Sequence, residues 1–446
     1  MMMIILLYTS VNIYFEGEQM AGFKALKGQG HAPTLFAAFL YFDFSFMVWT
    51  MLGPLVNEIS EALEHTGGNA LSDSQMATLL AIPVLAGALL RIVLGFGVDK
   101  LGAKKTALIA QGIVISVLFY AYFKGATITY PELLVVALGL GFAGASFAVA
   151  LPQAGQWYPP KLQGIVLGIA GAGNIGVVID FLFAPKFAEK WGWEAVFLVG
   201  GVLSLLVFIM YVIMAKDAPA SVYKPRPKKL SDYWKLLKDR DSWWFMLFYA
   251  VSFGGFVGFA NYMKVYLMNT YQADMSAFGM DVFNEPNVKV IAGYFGALTI
   301  FAGAVLRPVG GGIADKIGGV KSLYVFFGIV AALVALSGFV ALPFWAAIAV
   351  LFVIMASLGM ANGAVFQLVP QRFGKDIGIM TGLIGAAGGI GGFFLIKTLG
   401  WAKGTFDSYS IGFFIFAGLV LLAIGAISLV KTRWRTTWGA NAGGMI

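Results

Sequence analysis

The chain has 446 residues, of which 59% are apolar and 12% charged, with 57 glycines besides. Soluble globular proteins carry about 25% charged residues, so a chain this apolar cannot cover its own surface with polar groups, and an ordinary water-soluble enzyme is excluded. It has no Cys, and its two histidines, His31 and His65, lie outside the long apolar runs. Disulfides, thiolate sites and cysteine nucleophiles are ruled out, and a histidine metal centre or catalytic triad has almost nothing to be built from. No metal, no cofactor and no enzymatic activity are expected. The net charge of +8 would suit a nucleic-acid partner, but the positions of the charges point elsewhere.

The run from Met1 to Phe15 is apolar but too short to span a bilayer, and it lacks the basic start and small-residue cleavage site of a signal peptide. We read residues 1–19 as an upstream extension, with Met20 as the start. A bilayer core of about 30 Å needs roughly 20 apolar residues per helix. Twelve runs meet that requirement, with soft ends: about 34–56, 75–96, 104–123, 131–154, 164–184, 193–214, 243–270, 289–312, 320–341, 344–369, 377–396 and 408–430. They predict an all-α polytopic membrane protein with no room for a soluble catalytic domain. Pro83, Pro152, Pro308 and Pro370 fall within or at the ends of these runs without vetoing helices, because neighbouring helices re-satisfy the freed backbone groups.

If the termini and every second loop share one side, that side holds 21 of the 30 Lys and Arg, and the other side holds six. The basic side is expected to be cytoplasmic, with both termini inside a plasma membrane. The first outward loop carries Glu58, Glu61, Glu64 and Asp73 with no Lys or Arg. The basic excess is thereby explained by topology, with lipid as the surrounding partner and no nucleic acid. The polar stretch 216–242, with Pro225, Pro227 and eight Lys or Arg, divides six spans from six. The expected organisation is an N-terminal segment 1–31, a six-helix bundle 32–215, a linker 216–242, a second bundle 243–432 and a tail 433–446.

The two halves align. Gly95-x3-Asp99-x2-Gly102-x-Lys104-Lys105 follows the second span, and Gly311-x3-Asp315-x2-Gly318-x2-Lys321 follows the eighth, displaced by 216. Pro152-Gln153 precedes Gly164-x3-Gly168-x2-Gly171, and Pro370-Gln371 precedes Gly378-x3-Gly382-x2-Gly385, displaced by 214 at the glycines. Two matches in order imply homologous halves, the pattern of a carrier that rocks one half against the other around a midplane site. The Gly-x3-Asp-x2-Gly-x-basic-basic loop resembles that of the major facilitator superfamily, complete at Gly95 to Lys105 and degraded in the second copy. The resemblance covers 32–432 and implies a fold of two pseudo-symmetric six-helix bundles. Asp99 and Asp315 then serve as latches that help hold an outward-open state.

An intramembrane charge costs several kcal/mol and faces a cavity or a partner. Arg91 and Arg307 both follow Ala-Gly-Ala-x-Leu, each eight residues before the aspartate of its loop motif. Pseudo-symmetry brings them face to face, and each offers a planar fork of donors suited to a planar oxyanion. The alternative is that each is held by an acid or by helix carbonyls. In span five Gly168-x2-Gly171-x-Gly173-Asn174-x-Gly176, and in span eleven Gly385, Gly388, Gly389 and Gly391, suit close helix packing, which leaves Asn174 to be explained. These two runs resemble the paired signature of the nitrate/nitrite porter family. The resemblance implies a nitrate or nitrite carrier whose ion lies between two arginines and two Phe rings, with a Tyr hydroxyl and the Asn nearby. Carried over, these are Arg91, Arg307, Phe147, Phe253, Tyr249 and Asn174, with Phe256 a rival for the second ring. Nitrate is flat, monovalent and weakly hydrated, so rings can cover its faces while Arg donors bind its edge.

Two arginines around one monovalent anion leave an excess positive charge, which makes the empty carrier costly to occlude and favours nitrate/nitrite exchange. Asp43 in span one and Asp180 in span five are candidate proton sites, which keeps nitrate/proton symport open. Lys264, towards the outer end of span seven, has no assignment. The rival readings are a carrier of another small anion such as formate, oxalate or a sugar acid, a respiratory membrane subunit, which the shortage of histidine disfavours, and a channel. A monomer is expected.

Overall fold

A computed structural model describes residues 29–439 apart from 66, 160–161, 163–165, 167–168, 171, 220–229 and 375. The long apolar runs form helices because only helices satisfy every backbone group inside the segment where no water is present. In chain order these are α1 Ala32–Thr50, α2 Leu52–His65, α3 Asp73–Leu101, α4 Ala103–Lys124, α5 Tyr130–Gly144, α6 Phe147–Gly155, α7 Gly176–Trp191 and α8 Trp193–Met214. After the linker come α9 Leu230–Lys238, α10 Arg240–Phe278, α11 Val288–Ile317, α12 Gly319–Phe339, α13 Phe344–Phe373, α14 Ile377–Phe406 and α15 Ser410–Thr436.

Among the described residues, eleven helices are long and apolar enough to cross a membrane. They coincide with eleven of the twelve expected runs. α1 and α2 count as one span because Met51 between them keeps helical torsions. In the run expected at 164–184, the described residues Val166, Ile169 and Ala170 are helical, a short 3-10 turn covers Ala172–Ile175, and α7 follows. Gly168 and Gly171 lie outside the described residues. Phe123, Ile213, Phe339, Leu422 and Leu429 are each about two-thirds exposed or more, which suits lipid and not water.

Two local features position the site. Span four breaks between α5 and α6: the Ala148 amide bonds to the Ala145 carbonyl, three residues back, and leaves the Gly144 carbonyl outside the helical ladder. The turn between α3 and α4 runs through Gly102 at φ +89°, and the turn between α11 and α12 through Gly318 at φ +94°. The same backbone, favoured by Gly, thus recurs at both copies of the loop motif. At the first copy a Cβ on Gly102 would also lie 2.6 Å from the Asp217 carboxylate, which accepts from the Lys104 amide at 2.9 Å. Lys104 Nζ donates to the Val212 carbonyl at 2.6 Å, and Lys105 is exposed. Gly95 and Phe96 meet the linker helix α9, the Phe96 and Tyr233 rings lying 4.9 Å apart, with Asp99 within electrostatic reach of the Tyr233 hydroxyl. Asp315, its counterpart, is exposed.

The halves meet where α3 packs on α14 and α7 on α11. On the face opposite the termini, five polar bridges cross between them: Glu58 with Lys264, Glu61 with Lys289, Lys186 with Glu285, Asn269 with Asp73, and Lys397 with Thr78. On the termini face, Arg372 and Arg433 both bind Asp241, at the start of α10, within the second half.

Candidate functional site

Arg91, on α3, is 3% exposed. Its Nε donates to the freed Gly144 carbonyl at 3.1 Å, and a terminal nitrogen donates to the Gly385 carbonyl of α14 at 2.5 Å. Helix carbonyls therefore hold two of the five N–H donors of the fork, as the structural alternative for an intramembrane arginine foresees. The acceptors come one from each half. Gly385 permits this approach, since a Cβ there would stand 3.2 Å from the Arg91 terminal nitrogen.

Three aromatic rings surround the guanidinium carbon of Arg91: Trp49 at 5.6 Å, Phe147 at 5.6 Å and Phe253 at 5.4 Å. The Phe253 and Tyr249 rings, one helical turn apart on α10, stack 5.0 Å apart with an interplanar angle of 6°. Gly388 leaves room for that stack, because a Cβ there would meet Tyr249 at 2.7 Å and Phe253 at 2.8 Å. Arg307, from the matching place on α11, lies 5.1 Å over the Phe366 ring. Phe366 in turn lies edge-on to Tyr249 at 5.2 Å and to Phe147 at 6.5 Å. The two arginines are close enough to act on one another electrostatically. Arg91, Arg307, Phe147, Tyr249 and Phe253 thus belong to one assembly of charges and rings at the junction of the halves.

Phe366 is not singled out by the sequence, yet it lies over Arg307 and against Phe147 and Tyr249. It sits four residues before Pro370, as Phe147 sits five before Pro152, so the internal repeat holds a signal one residue out of register. Trp49 is likewise unmarked in the sequence; its indole donates to the Pro83 carbonyl at 2.8 Å, which fixes the ring beside Arg91. Phe256, the rival second ring, instead faces α11, where a Cβ on Gly303 would meet it at 2.6 Å.

Asn174 lies in the 3-10 turn that packs on α1 and on α11, the helix of Arg307. It is 5% exposed, and its Oδ1 has no hydrogen-bond partner among the described residues. Asp43 is engaged structurally, since its Oδ1 accepts from the Gly176 amide at 2.9 Å and caps the start of α7, where the helix dipole favours an anion. Gly176 itself allows the approach, as a Cβ would lie 2.4 Å from the Asp43 carbonyl. Gly389 and Gly391 sit against Ala88 and the Ala250 carbonyl, so they pack α14 onto α3 and α10. Gly173 lies in the 3-10 turn beside Asn174. Asp180 is buried apart from the arginine assembly, towards the face opposite the termini and near Lys264.

A duplicated helical membrane fold with a charged midplane assembly is the architecture of a secondary carrier. The family model of the Major Facilitator Superfamily matches residues 34–396. The chain belongs to the Major Facilitator Superfamily and is a multi-pass membrane protein. It is similar to the "Nitrite extrusion protein" of Bacillus subtilis (strain 168), 29% identical over 394 residues that cover 87% of this chain and 90% of that protein. The "Probable nitrate/nitrite antiporter NarK1" of Thermus thermophilus is 28% identical, covering 89% of each. Among solved structures, a bacterial homologue of the human lysosomal transporter Spinster, in an inward-facing and occupied conformation, superposes with a TM-score of 0.64 at 16% identity, covering 89% of this chain and 96% of that one. The human organic anion transporter MFSD10 gives 0.64 at 14% identity, covering 89% and 99%. These two share the fold.

Proposed function

We propose that this protein carries nitrate and nitrite across the plasma membrane by alternating access, with both termini on the cytoplasmic side and the ion held between Arg91 and Arg307. The observation that carries the reading is the convergence of one arginine from each half on a single ring cluster, Phe147, Tyr249, Phe253 and Phe366. Each guanidinium is a permanent charge with directional donors, and a low effective dielectric strengthens its hold on an anion. The rings set an apolar wall that a flat, weakly hydrated ion tolerates and a strongly hydrated phosphate or sulfate does not. The curated relatives named for nitrate or nitrite support the same cargo. Asn174, buried in the turn that packs on α11, supplies a further polar contact through its amide hydrogens.

Uptake of labelled nitrate by proteoliposomes tests the reading. Arg91→Lys and Arg307→Lys are each expected to lower uptake roughly tenfold to a hundredfold while the protein stays folded, the loss of about 1.5–3 kcal/mol that goes with a charge-assisted hydrogen bond. Wild-type rates in either variant would remove the guanidinium argument. Competition by formate or oxalate stronger than by nitrite would favour another cargo. Nitrate entry into vesicles preloaded with nitrite and no pH gradient marks exchange; entry into empty vesicles only under an imposed proton gradient marks symport.

A further inference from the structure

A second polar cluster lies between the arginine assembly and the face opposite the termini, and nitrate binding makes no use of it. Lys264 of α10 is wholly buried, and its Nζ donates to the Pro54 carbonyl and to Glu58 Oε1, each at 2.5 Å, across the boundary between the halves. The other oxygen of Glu58, Oε2, is buried without a hydrogen-bond partner among the described residues. Asp180 of α7, 5% exposed, stands within electrostatic reach of the same ammonium, and its Oδ2 is also buried without a partner among the described residues. The ammonium is bonded to Glu58, and among the described residues Asp180 has no ion pair of its own. A second ionised carboxylate there would be an uncompensated buried charge costing several kcal/mol, whereas a protonated carboxyl is neutral. Among the other charges nearby, Lys289 of α11 pairs with Glu61 of α2 and Asp43 of α1 with the Gly176 amide, while Glu194 of α8 lies beside the Gly192 turn.

We propose that Asp180, Lys264 and Glu58 form a proton-binding gate: closing the halves on this face takes up one proton, held on Asp180, and opening releases it to water. Glu58 and Asp180 belong to the first half and Lys264 to the second. Separating the halves withdraws the ammonium and admits water, and the Asp180 carboxyl then ionises in water. The proton comes from bulk water and returns to it, and no other reactant takes part. Acid thus favours the closed gate and alkali the open one, with the ratio changing at most about tenfold per pH unit for one proton. The proposal rests on alternating access but not on the identity of the cargo.

The absence of native Cys makes the gate measurable. Spin labels at Glu64→Cys and Gln272→Cys, exposed positions on this face in opposite halves, report its opening by pulsed EPR in nitrate-free nanodiscs. The scan runs from about pH 5 to about pH 9, a range that brackets a carboxyl displaced by burial. The closed population is expected to grow as pH falls. Asp180→Asn should stay closed with its pH dependence lost, and Asp180→Glu should keep that dependence. Should Asp180→Asn not fold, Lys264→Gln removes the cation beside Asp180, and the dependence should move to higher pH. A wild-type population that ignores pH, an Asp180→Asn variant that titrates as before, or an unchanged Lys264→Gln curve would each overturn the proposal. Nitrate binding by the same labelled samples, which depends on Arg91 and Arg307, separates failure of the gate from failure of the cargo assignment.

Discussion

Arg91 and Arg307 occupy matching places in the two halves yet differ in their surroundings. Arg91 is fully enclosed, tied to two carbonyls and flanked by Trp49, Phe147 and Phe253, while Arg307 is half-buried over Phe366. A guanidinium with part of its fork already committed keeps its remaining donors aimed, because the committed ones fix the plane. Arg91 thus acts as the rigid wall of the assembly and Arg307 as its freer one. The intramembrane acids divide in a similar way. Asp43 is occupied as the cap of α7, whereas Asp180 keeps an unsatisfied oxygen. Asn also accepts a backbone N–H through its side-chain oxygen, so Asp43→Asn should leave transport and its pH profile close to wild type. Asp43→Ala should lower stability by about 1 kcal/mol, the usual effect of losing a helix cap. A thermal melt and a pH series of uptake on both variants check this, and loss of proton dependence in Asp43→Asn would give Asp43 the proton role instead.

The helices approach one another through glycines, and not every glycine in the two signature runs serves that purpose. On α14, a Cβ at Gly391 would lie 2.1 Å from the Ala250 carbonyl, at Gly389 2.6 Å from Ala88, and at Gly388 2.7 Å from Tyr249, whereas Gly382 has nothing within 4 Å. On α13, a Cβ at Gly359 would meet the Gly303 carbonyl at 2.1 Å, and one at Gly363 the Arg307 carbonyl at 2.2 Å. The close packing of α11 on α13 therefore also fixes the backbone that carries Arg307. In lipid, such close approach replaces the hydrophobic drive that holds soluble helices together. Gly391→Ala is expected to force α14 off α10, with an overpacking penalty of about 1–3 kcal/mol and loss of uptake. Gly382→Ala should be neutral or stabilising by about 0.5–1 kcal/mol, since it relieves the entropy of a helical glycine and meets no neighbour. Thermal stability in detergent and uptake in liposomes, measured on the pair, distinguish the two cases.

As a whole the molecule is held shut on the face opposite the termini, where Glu58, Glu61, Asp73, Thr78 and Lys186 of the first half meet partners in the second. The outermost of these, Glu61 with Lys289, is partly exposed, and pairs of that kind contribute about 0–1 kcal/mol. Such bridges can be broken and remade within a transport cycle. A bifunctional thiol reagent joining Glu61→Cys to Lys289→Cys should block uptake, a reducible reagent should let it recover, and neither single variant should respond. Continued transport by the cross-linked double variant would show that this face need not open.

The apolar runs, the duplication and the two arginines are legible from the chain because each rests on local pattern: span length, repeated spacing and charge in an apolar context. Among the described residues, eleven spans form where hydropathy puts them, and in the fifth run a 3-10 turn over Ala172–Ile175 leads into α7. Phe147, Tyr249 and Phe253 are distinguished by family pattern. Phe366, one of 39 Phe, becomes distinguishable only once folding sets it over Arg307. Lys264 has no assignment in sequence because Glu58 lies 206 residues away, and Asp180 on a third helix. Composition, span length and repeated spacing determined that this is a twice-built helical membrane protein with a matching intramembrane arginine in each half. Which carbonyls bind Arg91, which ring covers Arg307, and where buried Asp180 comes near the Lys264–Glu58 pair were decided by tertiary packing, because those contacts join segments whose separation along the chain leaves no periodic trace.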